Sequence, residues 1–254
     1  MIKKWKIALK DFLKDYEEDD NIIGAILCGS YALDNHHNNS DIDVYLVLSD
    51  TAGYSEMGVV ESNSYLIEYY KHTVDIIKEK MEKEHENNEL YIANMFAYGK
   101  VIYDVEGKVE ELQKLALEYI DKPFKNITKE QLDKNNYLIW TCLNNLKKSI
   151  DKDSFQFNMN YYELLHNVYG VYAEYLGISK LPKTKIYKLL TDLEYREKYH
   201  IFNIPEDEFI KLYLKCFDMG NPEKMYRSIK RTVDYYYNKI GGFNIREFKI
   251  RASF

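Results

Sequence analysis

The chain has 254 residues, 46% of them hydrophobic and 30% charged, with a net charge of −6. That is the profile of a folded globular protein with room for one large domain or two small ones, and it excludes disordered and fibrous classes. A chain of this sign is not built mainly to grip a nucleic-acid backbone.

The longest apolar stretch, Ile22–Cys28, falls far short of the roughly 18 residues a membrane span needs. The start, Met1-Ile2-Lys3-Lys4-Trp5-Lys6, runs straight into a charged helical pattern, so no signal peptide is expected. Cys28, Cys142 and Cys216 are too scattered for a metal-ligand pair or a disulfide framework, which fits a reducing, cytoplasmic setting. Charge divides the chain. Residues 1–126 carry 14 Lys+Arg against 25 Asp+Glu, whereas residues 127–254 carry 21 against 16 and hold all five arginines. Two halves of opposite sign imply two units with different tasks.

In chain order, Trp5, Ile7, Ala8, Phe12, Leu13 and Tyr16 recur at helical spacing and predict an amphipathic helix over 3–17. The apolar run 22–28 predicts a buried strand ended by Gly29-Ser30, and a polar loop follows over 34–40. Residues 42–48 read as a second strand and 65–70 as a third. Helices are expected over 74–86 and 88–98, a short strand at 101–103 and a helix over 107–120, with Asp121-Lys122-Pro123 as punctuation. Beyond Pro123 strand signals nearly vanish. Thr128 and Gln131 have capping-box spacing at the start of a helix whose apolar face is Leu132, Ile139, Leu143, Leu146 and Ile150. A second helix is marked by Tyr161, Leu164, Leu165, Val168, Tyr172, Tyr175 and Leu176, and others are expected near 183–193, 206–218 and 223–239 before a Gly241-Gly242 stop. The reading is an α+β protein, with a mixed sheet flanked by helices over 1–122 and an all-α bundle over 123–254.

The chemistry concentrates in Cys28-Gly29-Ser30-Tyr31-Ala32 and, eleven residues after Ser30, Asp41-Ile42-Asp43. Two carboxylates at i and i+2 on a strand leave the same face. Held so close they repel, and a cation relieves the repulsion. Hard oxygen ligands at that separation suit Mg²⁺, which accepts a partial protein shell completed by water and phosphate. Gly29 lets a phosphate approach the backbone, and Ser30 offers an N–H and a hydroxyl. If the first two strands are antiparallel neighbours, this corner faces Asp41. A second metal needs another carboxylate from an adjacent strand. Glu68, in the third apolar run with Leu66 and Tyr70 on its face, is the first candidate and Glu61 the alternative. An EF-hand reading fails because Leu46 and Ala52 stand where Gly and Glu are required. There is no Walker loop and no Gly-x-Gly-x-x-Gly.

These residues resemble the nucleotidyltransferases with a DNA polymerase β-like fold, whose signature is Gly-Ser, a spacer of about ten residues and Asp-x-Asp on the next strand. The resemblance covers about residues 20–105, and the helical second half looks in architecture like that of the aminoglycoside and lincosamide nucleotidyltransferases. Many members have a glycine shortly after Gly-Ser-x-Ala, where this chain has Leu33-Asp34. The resemblance implies that Gly29 and Ser30 hold a triphosphate and that Asp41, Asp43 and Glu68 hold two Mg²⁺. A substrate hydroxyl then attacks the α-phosphorus in line. The expected function is transfer of a nucleoside monophosphate, AMP from ATP or its equivalent from another nucleoside triphosphate, to a hydroxyl of a small molecule such as an antibiotic, with release of pyrophosphate. In the helical half, Glu163, Asn167, Gly170 and Glu174 share an arc of one helix, and Glu163 or Glu174 is the candidate proton acceptor. Lys183 and Lys185 are candidate triphosphate contacts. Two other classes stay open: a protein-modifying, antitoxin-type nucleotidyltransferase, and a non-catalytic nucleotide sensor.

Overall fold

A strand buried along its whole length, as Ile22–Cys28 is, needs a layer packed on each of its faces. The computed structural model, which describes residues 3–16, 18–151 and 154–249, supplies both. Met1 and Ile2 of the charged start lie outside the described residues. The N-terminal unit runs α1 (Lys4–Lys14), β1 (Ile22–Cys28), a single helical turn α2 (Gly29–Ala32), β2 (Ile42–Leu48), β3 (Glu56–Ser62), β4 (Tyr65–Thr73), α3 (Val74–Glu86), α4 (Tyr91–Ala97), β5 (Lys100–Asp104) and α5 (Lys108–Asp121). The five strands form one mixed sheet in the order β3-β4-β2-β1-β5. β2 and β4 pair in parallel, and the other neighbours are antiparallel.

On one face, the α1 stripe of Trp5, Ala8, Leu9, Phe12 and Leu13 packs on Ala25, Leu27, Ile42, Val44, Leu46, Leu48 and Ile67. Leu9 belongs to this stripe and Ile7 does not, being 45% exposed. Positions 5, 8, 9, 12 and 13 follow the i, i+3, i+4, i+7, i+8 rule, from which position 7 departs. On the other face Val109 of α5 presses on Gly24, where an added Cβ would come within 2.3 Å of Val109 Cγ2. Phe96 of α4 meets the ring of Tyr45 edge-on at 5.0 Å.

β3 was not anticipated. Most of it is exposed, and it lies at the edge of the sheet. Its hairpin to β4 turns at Asn63 and Ser64, with φ of 49° and 66°. Two left-handed residues in a row are what a two-residue hairpin turn demands, but Asn-Ser is a weaker signal than Asn-Gly. The hairpin is pinned to α1. Ser62 Oγ donates to Ala8 O at 3.0 Å, and Asn63 Nδ2 to Asp11 Oδ2 at 2.9 Å. The buried Lys71 ammonium pairs with Glu56 at 3.0 Å and lies 4.4 Å from the Tyr16 ring centre.

The second unit is helical: α6 (Lys129–Lys148), α7 (Ser154–Leu176), α8 (Ile186–Thr191), α9 (Leu193–Lys198), α10 (Asp207–Leu214), a 3₁₀ turn (Lys215–Phe217) and α11 (Pro222–Lys239). The chain divides into these two compact units at Pro123 and Phe124. Thr128 Oγ1 accepts from Gln131 N at 3.1 Å and starts α6, while the Gln131 side chain turns to Asn135 and not back to the cap. α9 was also not anticipated. It is six residues long and begins where Asp192 accepts from Tyr195 N at 2.9 Å. The core of this unit is rich in tyrosine, and four hydroxyls find partners: Tyr161 donates to Cys216 O, Tyr236 to Asn136 Oδ1, and both Tyr172 and Tyr235 to Glu206, whereas the buried Tyr169 hydroxyl meets none among the described residues. Among the described residues no helix is long and apolar enough to cross a membrane.

Candidate active site

The ladder registers bring the corner and the carboxylates together. β1 and β2 are antiparallel with Cys28 opposite Asp43, so the residue leaving β1, Gly29, lands beside the start of β2. β2 and β4 are parallel with Asp43 opposite Glu68. Directly opposed residues share a sheet face, so Asp43 stands between the corner on one side and Glu68 on the other. Asp41 comes immediately before β2, two residues upstream of Asp43. Glu61 lies on the edge strand β3, opposite Leu66, with β4 between it and β2. Glu68 is therefore the carboxylate on the strand adjacent to Asp43.

The corner is tight. Gly29 has φ +60°, and a Cβ there would fall 1.8 Å from Asp43 Oδ2. Only a residue without a side chain admits the Asp43 carboxylate against its backbone. Asp41 is exposed, while Gly29, Ser30, Asp43 and Glu68 are half-buried, so the cluster opens to solvent at one end. The spacer between corner and carboxylates is braced. His36 stacks on Tyr31 with ring centres 4.1 Å apart, Trp5 packs on Tyr31 at 5.1 Å, and the Tyr31 hydroxyl donates to Ser40 O at 3.4 Å. His36 is thus a packing residue in the loop, whereas His37 is exposed. Asp34 takes φ +51° and bonds Lys100 through its carboxylate at 2.7 Å. It occupies the left-handed position that a glycine would otherwise fill, a conformation aspartate tolerates.

The Tyr70 hydroxyl donates to Glu68 Oε1 at 2.5 Å. It is pushed well above the ordinary tyrosine range, first by burial, then by this hydrogen bond and by the charges of Glu68, Asp43 and Asp41. One hydroxyl therefore feels all three carboxylates. The Cys28 thiol is also pushed up, by burial and by the charge of Asp43, which leaves it a protonated packing group and no nucleophile. Among the described residues no group of three or more His, Cys, Asp or Glu already stands close enough to hold a metal ion. The donor set nevertheless fits one. Asp43 and Glu68 share a sheet face and Asp41 comes two residues before Asp43, and hard oxygen donors of this kind suit Mg²⁺.

The other predicted residues lie in the helical unit. Glu163 is exposed on α7 and Lys183 is exposed just before α8. Lys185 is already engaged, with its ammonium 4.7 Å from the Tyr199 ring centre and 3.5 Å from the Tyr199 hydroxyl. Along the same α7 arc Asn167 donates to Cys142 Sγ at 3.5 Å, Glu174 pairs with Lys180 at 3.4 Å, and nothing lies within 4 Å of a Cβ added to Gly170. The half-buried His166 is pushed down to about 4, first by burial and then by Lys183 and Lys180.

Residues 8–107 match the family described as Polymerase beta, Nucleotidyltransferase, and this N-terminal unit is a polymerase β-like nucleotidyltransferase domain. Among solved structures, a nucleotidyltransferase-like protein from Exiguobacterium sibiricum 255-15 is similar at 10% identity and a TM-score of 0.48, over 93% of this chain and 76% of that one. No curated protein matches the sequence.

Proposed function

We propose that the protein transfers a nucleoside monophosphate, AMP from ATP, to a hydroxyl of a small molecule and releases pyrophosphate. One observation supports this above the others: the two ladder registers that set Gly29 on one side of Asp43 and Glu68 on the other. Asp41, Asp43 and Glu68 would hold one or two Mg²⁺, which when bound would neutralise charge on the transferred phosphoryl group and on the leaving pyrophosphate.

The chain's own residues do the rest. Gly29 leaves space for the Asp43 carboxylate against the backbone, and Ser30 offers its N–H and hydroxyl to the triphosphate. The acceptor oxygen forms a bond to the α-phosphorus, the bond from that phosphorus to the pyrophosphate oxygen breaks, and the acceptor's proton passes to a base. Glu163, Lys183 and Lys185 belong to the helical unit, and the residues of the N-terminal unit alone support the reading. Little covalent work is asked of the protein; positioning and charge neutralisation supply most of the acceleration.

The test is pyrophosphate release from ATP with a panel of hydroxylated small molecules, for the wild type, Asp41→Asn and Asp43→Asn. The expected result is Mg²⁺-dependent release in the wild type and a loss of at least about 100-fold in each variant. Label from ATP appearing on protein and not on a small compound would replace the small-molecule acceptor with a protein one. Unchanged release in both variants would refute the reading.

A further inference from the structure

Asp43 and Glu68 stand directly opposite each other on neighbouring strands. Two like charges there repel, and a glutamate has three torsions through which to swing its carboxylate away. The structure contains a restraint against that swing. Tyr70, two residues on from Glu68 and on the same face, donates its hydroxyl to Glu68 Oε1 at 2.5 Å. The Tyr70 ring is itself fixed. It stacks on Tyr45 with centres 5.7 Å apart and planes 24° apart. Tyr45 is fully buried, meets Phe96 edge-on and has its hydroxyl 2.9 Å from His72 Nδ1. A column of side chains running back along β2 and β4 thus ends in a single donor aimed at one oxygen of Glu68. That bond engages one oxygen of the carboxylate, Oε1.

We propose that Tyr70 is a positioning residue that holds the Glu68 carboxylate beside Asp43 and so presets it for a divalent cation. This rests on the metal–nucleotide reading of the site. Tyr70 does not touch the reacting atoms. It acts through Glu68, as an uncharged donor whose bond persists when the other oxygen takes a metal. Groups behind metal ligands typically change affinity by about 10–100-fold when removed.

The experiment is a Mn²⁺ titration of the full chain, followed by electron paramagnetic resonance, in the presence of a non-hydrolysable ATP analogue. The proteins are the wild type, Tyr70→Phe, Glu68→Gln, the double variant and Asp43→Asn. Tyr70→Phe keeps the ring that stacks on Tyr45, and circular dichroism checks that it is folded. The expected result is a Mn²⁺ affinity about tenfold weaker in Tyr70→Phe than in the wild type. In the Glu68→Gln background, removal of the hydroxyl should cause no further loss. A wild-type affinity in Tyr70→Phe overturns the proposal, as does an equal loss whether or not Glu68 is present. Both outcomes leave the functional reading standing if Asp43→Asn still abolishes binding. If the wild type and Asp43→Asn bind Mn²⁺ alike, the metal site itself is wrong and the proposal falls with it.

Discussion

At Gly29 the site depends on one missing methyl group. An alanine there has two costs. A non-glycine residue in the left-handed region is strained by roughly 1–2 kcal/mol, and its Cβ would lie 1.8 Å from Asp43 Oδ2. The carboxylate must move, and with it any metal it holds. Gly29→Ala is therefore expected to retain most of its thermal stability while losing Mg²⁺-dependent nucleotide turnover by two orders of magnitude or more. Turnover measured beside a melting curve checks this, and a stable variant with wild-type turnover would show that Asp43 does not work from its present position. Glu84 gives a prediction of a different kind. Its carboxyl accepts from Ile92 N at 2.8 Å in the first turn of α4, yet burial pushes it up from 4.5 to about 7. The folded chain then keeps a proton that the unfolded chain releases, so the associated stability is complete below pH 4.5 and is lost as pH rises through 7. Allowing for solvent screening of a partly open site, the loss by pH 8 is of the order of 1–2 kcal/mol. Glu84→Gln should flatten that slope in denaturant unfolding followed from pH 5 to pH 8; an unchanged slope would assign it to other groups.

Among the elements, the β3–β4 hairpin carries Glu68 to its place, and a short list of contacts carries the hairpin. Lys71 is buried, paired with Glu56 and set against two tyrosine rings, at 4.4 Å from Tyr16 and 5.4 Å from Tyr69. Lys71→Met keeps the apolar stem and removes the charge. Losing two partly desolvated cation–π contacts and an ion pair should destabilise the protein by about 1–3 kcal/mol, read as a lower midpoint in thermal unfolding. A variant as stable as the wild type would move the anchoring role to Ser62 and Asn63.

The same hairpin marks the limit of what the chain discloses in one dimension. β1, β2 and β4 were legible because apolar runs flanked by turn residues have few alternatives in a folded protein. The Gly-Ser corner and Asp-x-Asp were legible because their spacing is tied to a strand, a loop and a strand. β3 was not, since an exposed edge strand has no buried face to impose alternation. With β3 unseen, nothing in the sequence said that β4 would return beside β2 in parallel, which is what sets Glu68 opposite Asp43. Tyr70 was legible in part: its place on the face of Glu68 follows from alternation along one strand, whereas the stack on Tyr45 that fixes its ring depends on the β2–β4 register.

Across the whole molecule the two units carry opposite charge. Residues 1–126, which hold the corner and the three carboxylates, have 25 acidic against 14 basic side chains. Without a cation that half repels a triphosphate, and the repulsion is long-ranged at low ionic strength. The most direct measurement of the central claim is calorimetric titration of the wild type and Asp43→Asn with a non-hydrolysable ATP analogue, in Mg²⁺ and in EDTA. Binding confined to the wild type in Mg²⁺ is the predicted result. Equal affinity in EDTA, or in Asp43→Asn, would contradict a site in which carboxylates on β2 and β4 recruit the metal that recruits the nucleotide.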